Sequence, residues 1–181
     1  MQDLKNFTVP PEFRGRSSFV VQLWWVVQST LFGCSPQFMY AWRRFLLRFF
    51  GAKIGKSVII RPTARITYPW NLTIGDYSWV GDDVCLYTLG KINIGQNAVI
   101  SQRSYLCTGT HDYRSNNFDI VAKPIFIEES TWVATDVYIA PGVTIGRGAV
   151  VGARSSVYSN IPPEMICIGS PAKPIKHRFG E

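Results

Sequence analysis

The chain has 181 residues, 46% hydrophobic and only 17% charged, enough for a sizeable single core and too apolar for a disordered protein. Nineteen Lys and Arg against 12 Asp and Glu give a formal charge of +7, a balance that suits nucleic acid, an anionic membrane or a phosphorylated ligand. The charge is uneven: residues 1–53 hold seven basic and two acidic groups with eight of the 11 Phe and three of the six Trp. The remainder is nearly balanced, with 12 basic and 10 acidic groups, which excludes nucleic acid as its partner.

In the head, residues 1–53, the apolar run from Phe19 to Phe32 predicts a helix. It comes too late for a usual signal peptide and lacks a small-residue cleavage site; in Leu31-Phe32-Gly33-Cys34 a bulky Phe32 stands where a lipoprotein signal wants a small residue. A helix over this run is about 21 Å long against a hydrocarbon core of about 30 Å, and Gln22 and Gln28 interrupt it, so it does not span. Gly33 ends it through a left-handed turn. Ser35 as N-cap and Pro36 in the first turn open a second helix, Pro36–Phe50, that Gly51 stops. Arg44 and Arg48 share a face of it, with Arg43 beside them. Two readings compete. One is an interfacial hairpin over residues 19–50, its aromatics among the headgroups and its arginines on the phosphates of an anionic membrane. The other is a helical cap over the open end of the body, or a subunit contact. The basic groups flanking a dense aromatic run favour the membrane.

From Ile54 the aliphatic residues recur every six positions: Ile54, Ile60, Ile66, Leu72, then Ile74, Val80, Leu86, Ile92, then Ile94, Ile100, Leu106. After a break the count resumes at Ile127, Val133, Ile139, Ile145, Val151 and Val157. A period of six fits neither a helix nor a lone hairpin and signals a parallel β-helix, with three sides per 18-residue coil. Glycine follows the aliphatic at Gly55, Gly75, Gly81, Gly95, Gly146 and Gly152, where a turn uses its backbone freedom. Ile54, Ile74, Ile94, Ile127 and Ile145 begin five coils, a prism about 24 Å long. The fold class is therefore mainly β: a parallel β-helix over 54–160, an N-terminal α-helical hairpin, a loop insertion at 107–126 and a tail at 161–181. A long polar insertion on a regular solenoid is a functional candidate, and this one contains Thr110-His111-Asp112.

Cys34, Cys85, Cys107 and Cys167 are too far apart for a zinc or redox pair, and only His111 and His177 could join them. No metal site is expected, and the cysteines read as reduced thiols packed as small apolar side chains in a cytoplasmic protein.

Taken as a set, the repeat, Thr110-His111-Asp112, Trp132-Val133-Ala134, Ile139-Ala140-Pro141-Gly142-Val143-Thr144-Ile145-Gly146, Asn160-Ile161-Pro162-Pro163 and Gly169-Ser170-Pro171-Ala172-Lys173 resemble the hexapeptide-repeat acyltransferases. Within them the chain is similar to the maltose/galactoside O-acetyltransferase branch and most of all to the colanic acid biosynthesis acetyltransferases. The resemblance covers about residues 52–176 and implies left-handed coiling, where crossover rules alone favour the right hand. It also implies transfer of acetyl from acetyl-CoA to a sugar hydroxyl, free or lipid-linked, by a homotrimer whose sites lie between chains. His111 matches the family's base, and a group titrating near neutrality suits a hydroxyl nucleophile. His177 lacks the motif. A backbone N–H near Ala134 or Thr135 would stabilise the oxyanion; many relatives have Gly where Ala134 stands. Asp82, Asp83, Tyr87 and Asp112 are candidates for acceptor binding. Trp132, Ala134, Thr135 and Ala153 would line the pantetheine track, with Arg154, Lys173, Lys176 and Arg178 for the CoA phosphates. Gamma-class carbonic anhydrases share the fold but need three zinc histidines, and two are present. A non-catalytic β-helix scaffold and an acyltransferase with another acyl donor are the alternatives; the Gly169–Lys173 tail favours CoA. The expected location is cytoplasmic, peripheral at the membrane face.

Overall fold

The six-residue period folds into strands of two or three residues that stack in parallel. In the computed structural model, which describes residues 4–180, Ile54, Ile74, Ile94, Ile127 and Ile145 are register partners in one five-stranded sheet. Ile60, Val80, Ile100, Val133 and Val151 align in a second sheet, and Ile66, Leu86, Leu106, Ile139 and Val157 in a third. All of these side chains are buried, so three faces enclose one aliphatic column.

The prism is longer than five coils. Ile161 bridges to Ile145 and Cys167 pairs with Val151, which lays two sides of a sixth coil. The period of six continues from Ile161 to Cys167, but a cysteine occupies the aliphatic position. The chain then reverses, and Ala172–His177 runs antiparallel along Met165–Gly169. Cys107 and Cys167 are buried as small apolar side chains and Cys85 is half-buried, whereas Cys34, in the turn between the head helices, is exposed.

The corner glycines act differently from the sequence expectation. None of Gly55, Gly75, Gly95 and Gly146 has a left-handed φ; that conformation falls two residues later, at Ser57, Tyr77, Asn97 and Gly148. What glycine supplies is room for the next coil. A Cβ on Gly75 would lie 2.5 Å from the Gln96 nitrogen, and one on Gly95 would lie 2.6 Å from that of Glu129.

The head closes the open end. α1 (Ser18–Val27) starts on Ser17 and continues as a wider π-helical turn, Gln28–Phe32. Gly33 is right-handed, φ −69°, contrary to the expected left-handed stop. Its Cβ would sit 3.0 Å from the Gln28 carbonyl, so close approach again explains the glycine. α2 (Tyr40–Phe49) begins later than expected, and Ser35 does not cap it; its hydroxyl donates to the Phe32 carbonyl and accepts from Arg43. Among the described residues no helix is long and apolar enough to cross a membrane.

Along the strands of the prism, N–H groups of one coil donate to carbonyls of the next, as Gly55 does to Ile74 and Arg61 to Val80, while corner N–H groups such as that of Tyr77 donate backwards, to Lys56. The first coil's own carbonyls at Ile54, Val58, Ile60 and Ile66 therefore point out of the end. Four head side chains take them: Arg48 bonds Ile54 at 2.7 Å, Arg44 bonds Val58 at 2.9 Å, Arg43 bonds Ile60 at 2.7 Å and Trp24 bonds Ile66 at 2.8 Å. Guanidinium and indole groups suit a row of acceptors because they are donors only. The arginines that the sequence directs at lipid phosphates are thus engaged by backbone. Arg43 is fully buried, and its Nη1 also reaches Ser35 and Pro36.

Replacing Arg43 with Met strips the donor from the buried Ile60 carbonyl, a group worth about 1–3 kcal/mol when left unsatisfied, and releases the part-buried bonds to Pro36 and Gln37. We expect a loss of about 3 kcal/mol in denaturant unfolding, and a smaller loss for Arg48→Met, whose bonds to Ile54 and Gly55 are part-buried and exposed. Gly95→Ala is expected to cost about 1–3 kcal/mol through the backbone clash. Gly90→Ala, whose Cβ would meet Ala122 at 3.4 Å, stays within about 0.5 kcal/mol in the same measurement.

Candidate active site

The insertion is a hairpin. Gly109–His111 pairs antiparallel with Ile120–Ala122, placing His111 opposite Ile120. Glycine at 109 lets the hairpin lie against the body, since a Cβ there would meet Leu89 at 2.7 Å and Tyr87 at 2.9 Å. The hairpin's tip is shaped by its own polar groups. The Asp112 carboxylate accepts the Arg114 N–H at 2.9 Å, and Ser115 donates to Asp119 at 2.6 Å.

This loop sets the chemistry of His111. Phe118 has a left-handed φ of 53°, and its carbonyl lies 2.8 Å from Nδ1 of His111. A carbonyl only accepts, so Nδ1 carries a proton, and in the neutral imidazole Nε2 then holds the lone pair. The Phe118 ring stacks on the imidazole at 4.1 Å and 7°, and Phe7 of the head approaches it at 5.8 Å. The imidazole is thereby fixed in tautomer and orientation, with one nitrogen left as a proton acceptor.

His111, Tyr87, Tyr105, Leu89 and Ile120 line a cavity of about 190 Å³ against the third sheet. Tyr87, Tyr105 and Tyr138 stack at ring spacings of 6.1 Å, and Tyr158 continues the row at 5.8 Å. Burial, with Cys107 alongside, raises the pKa of Tyr87, Tyr105 and Tyr138. Burial likewise raises that of the Cys85 thiol. A raised pKa keeps these groups protonated at neutral pH, so they offer hydrogen bonds but neither bases nor thiolate nucleophiles.

A second cavity of about 510 Å³ lies on another face, over the second sheet, between Trp79 and Trp132. Arg61, Asp82 and Arg178 edge it, and it shares no lining residue with the His111 cavity. Both indoles are exposed, and Trp132 Nε1 donates to the Ser101 hydroxyl at 3.0 Å. Asp82 is held by Arg61, whose Nε lies 2.9 and 3.0 Å from its two oxygens. Asp83 occupies a corner with φ 56°, its N–H on the Thr63 hydroxyl.

The expected site residues thus fall into groups. Tyr87 joins His111, while Asp82, Trp132 and Arg178 share the larger cavity. Asp83, Asp112, Ala134, Thr135, Ala153, Arg154 and Lys173 line neither. The Ala134 N–H donates to the Val151 carbonyl at 2.9 Å within the ladder, so it is already engaged by the neighbouring coil. Arg154 sits at a corner 3.7 Å from the Asp136 carboxylate. Lys173 and Lys176 are exposed on the tail hairpin, and Arg178 Nη1 bonds the carbonyls of Ser130 and Gly148 at 2.8 and 3.0 Å.

Tyr105, Phe118, Trp79 and Arg61 were not anticipated. The period held the signal for two of them. Tyr105 precedes Leu106 as Tyr138 precedes Ile139, and Trp79 precedes Val80 as Trp132 precedes Val133, each therefore facing out of the prism. Among the described residues no group of three His, Cys, Asp or Glu comes together to hold a metal.

Comparison with known proteins agrees with this architecture. Residues 124–159 match the family described as bacterial transferase hexapeptide (six repeats). The chain is 63% identical over 178 residues to WcaF of Escherichia coli K12, described as a colanic acid biosynthesis acetyltransferase, covering 98% of each. The structure is similar to a maltose O-acetyltransferase from Clostridium difficile 630, with a TM-score of 0.80, 28% identity and 89% of each chain covered. It is also similar to a hexapeptide-repeat acetyltransferase of Vibrio cholerae solved with acetyl coenzyme A, with a TM-score of 0.82 and 25% identity over 98% of this chain and 96% of that one. A solenoid of six-residue sides, a histidine-bearing hairpin on its third coil and 63% identity to WcaF over 98% of each chain agree that the chain belongs to the hexapeptide-repeat acetyltransferases.

Proposed function

We propose that the protein transfers acetyl from acetyl-CoA to a sugar hydroxyl in the assembly of a bacterial surface polysaccharide, with His111 as general base. The observation that carries this reading is the 2.8 Å contact between His111 Nδ1 and the Phe118 carbonyl, which leaves Nε2 free beside a cavity lined by tyrosines. The family supports acetyl transfer, and the Vibrio cholerae relative bound to acetyl coenzyme A supports the donor.

In this mechanism Nε2 takes the acceptor's hydroxyl proton as its oxygen attacks the thioester carbonyl. The carbonyl oxygen gains negative charge, for which the Thr135 N–H is the candidate donor. The carbon–sulfur bond then breaks, and the imidazolium returns the proton to the departing thiolate. Tyr87 and Tyr105 offer hydroxyl and ring contacts to the sugar. Trp132 and Ala153 line the pantetheine track, and Arg154 at a corner of the last coils and Lys173 on the tail hairpin, both exposed, meet the CoA phosphates. In one chain the His111 and Trp132 cavities lie on different faces, which supports a homotrimer in which His111 of one chain meets the Trp132 face of the next. A lipid-linked acceptor and peripheral attachment at the cytoplasmic membrane face belong to the same reading.

His111→Ala is expected to lower kcat by about 10²- to 10⁴-fold while circular dichroism is unchanged, measured with radiolabelled acetyl-CoA and a panel of free, nucleotide-linked and lipid-linked sugars. Near-normal transfer by the folded variant would remove His111 from the chemistry. Separately prepared His111→Ala and Trp132→Ala chains, unfolded and refolded together, should recover activity that neither has alone. If mixing restores nothing although mixed oligomers form, the site does not lie between chains.

A further inference from the structure

The outward faces of the head helices carry large apolar side chains that the cap does not use. On α1, Phe19, Leu23 and Val26 recur at helical spacing opposite the buried Val21 and Trp24. On α2, Phe45 and Phe49 lie one turn apart opposite the buried Arg43 and Leu47, and Phe38 precedes the helix. Phe38, Phe19 and Phe49 are 79%, 76% and 72% exposed. α2 inverts the usual arrangement of a surface helix: its arginines reach into the end of the prism and its aromatics face out. Clustered apolar side chains of this size on a surface mark a contact site.

Charge identifies the partner. From Phe13 through Gly75 the sequence contains nine Lys or Arg and no Asp or Glu. Arg43, Arg44 and Arg48 are engaged by first-coil carbonyls, but Arg16, Lys53 and Lys56 are exposed at the same end of the molecule. Asp76, whose carboxylate accepts the Lys56 N–H at 2.8 Å, stands at this corner, but the cations outnumber it, and an apolar face with a net positive rim complements an anionic bilayer.

We infer that Phe19, Leu23, Phe38, Phe45 and Phe49 insert into the headgroup region of an anionic membrane, with the N-terminal end of the prism against the bilayer. The inference rests on the peripheral attachment proposed above and gives it a surface and an orientation. Insertion of aromatics replaces arginine–phosphate contact as the source of binding. The His111 hairpin leaves the third coil, two coils or about 10 Å beyond the first along the prism. The head helices, about 10 Å across, lie between the first coil and the bilayer, so the reacting nitrogen stands about 20 Å from the surface, a distance that suits a sugar extended from a lipid anchor.

The test is co-sedimentation of the full chain with vesicles of phosphatidylcholine alone and of equimolar phosphatidylcholine and phosphatidylglycerol. The wild type should bind the mixed vesicles, and Phe38→Ser/Phe45→Ser/Phe49→Ser should bind them at least about tenfold more weakly, with transfer to a water-soluble sugar unchanged. Lys53→Gln/Lys56→Gln should lower binding to the mixed vesicles only. An environment-sensitive fluorophore on the exposed Cys34 of the wild type should shift to the blue on the mixed vesicles, a readout that needs no variant. A wild type that stays in solution with both vesicles defeats attachment itself. Attachment that the triple Phe variant leaves intact defeats this face alone. A triple variant that changes the oligomer's mass but not vesicle binding assigns the face to a second copy of the chain and overturns the inference.

Discussion

A stack of parallel coils must end somewhere, and each end leaves a row of backbone groups without partners. In water such an edge also pairs with other chains. Here the first row is a set of carbonyls at Ile54, Val58, Ile60 and Ile66, and Arg48, Arg44, Arg43 and Trp24 satisfy it one for one. This interaction decides what the head is for. It also turns α2 so that its cations face the prism and its aromatics face away. The other end is closed by covalent continuity: the tail reverses after Gly169 and runs back along its own strand, and Arg178 bonds two corner carbonyls.

Between the ends, the corners set the spacing. The coils approach so closely at Gly75 and Gly95 that no Cβ fits, while the left-handed turn itself is borne by residues such as Tyr77 and Asn97. A non-glycine residue accepts this conformation at a cost that the surrounding stack offsets. The regular prism then offers flat faces from which the one irregular segment, the His111 hairpin, projects.

The candidate site follows from that contrast. His111 owes its tautomer to a carbonyl seven residues away in the same hairpin, and its cavity to tyrosines one coil apart on the third sheet. Trp132 and Trp79 stand on the second sheet, over a separate cavity. The acidic residues picked out in the sequence serve other partners: Asp82 holds Arg61, and Asp112 shapes the hairpin tip. Carboxylate type and rough position were visible, but their partners come from the neighbouring coil or the loop's own turn.

The sequence by itself determined the coil, its buried column and its family, because a period of six restricts which side chains can face inward and because the motifs stand at set intervals along it. Ile54, Ile74, Ile94, Ile127 and Ile145 align as counted, and His111 lies in the predicted insertion. Only the tertiary structure decided where the head's arginines point, which corner residue turns left-handed and which nitrogen of His111 is free. Each of these depends on a backbone carbonyl or nitrogen brought close from elsewhere in the chain. Such groups are the same at every residue, so no side-chain pattern along the sequence marks them.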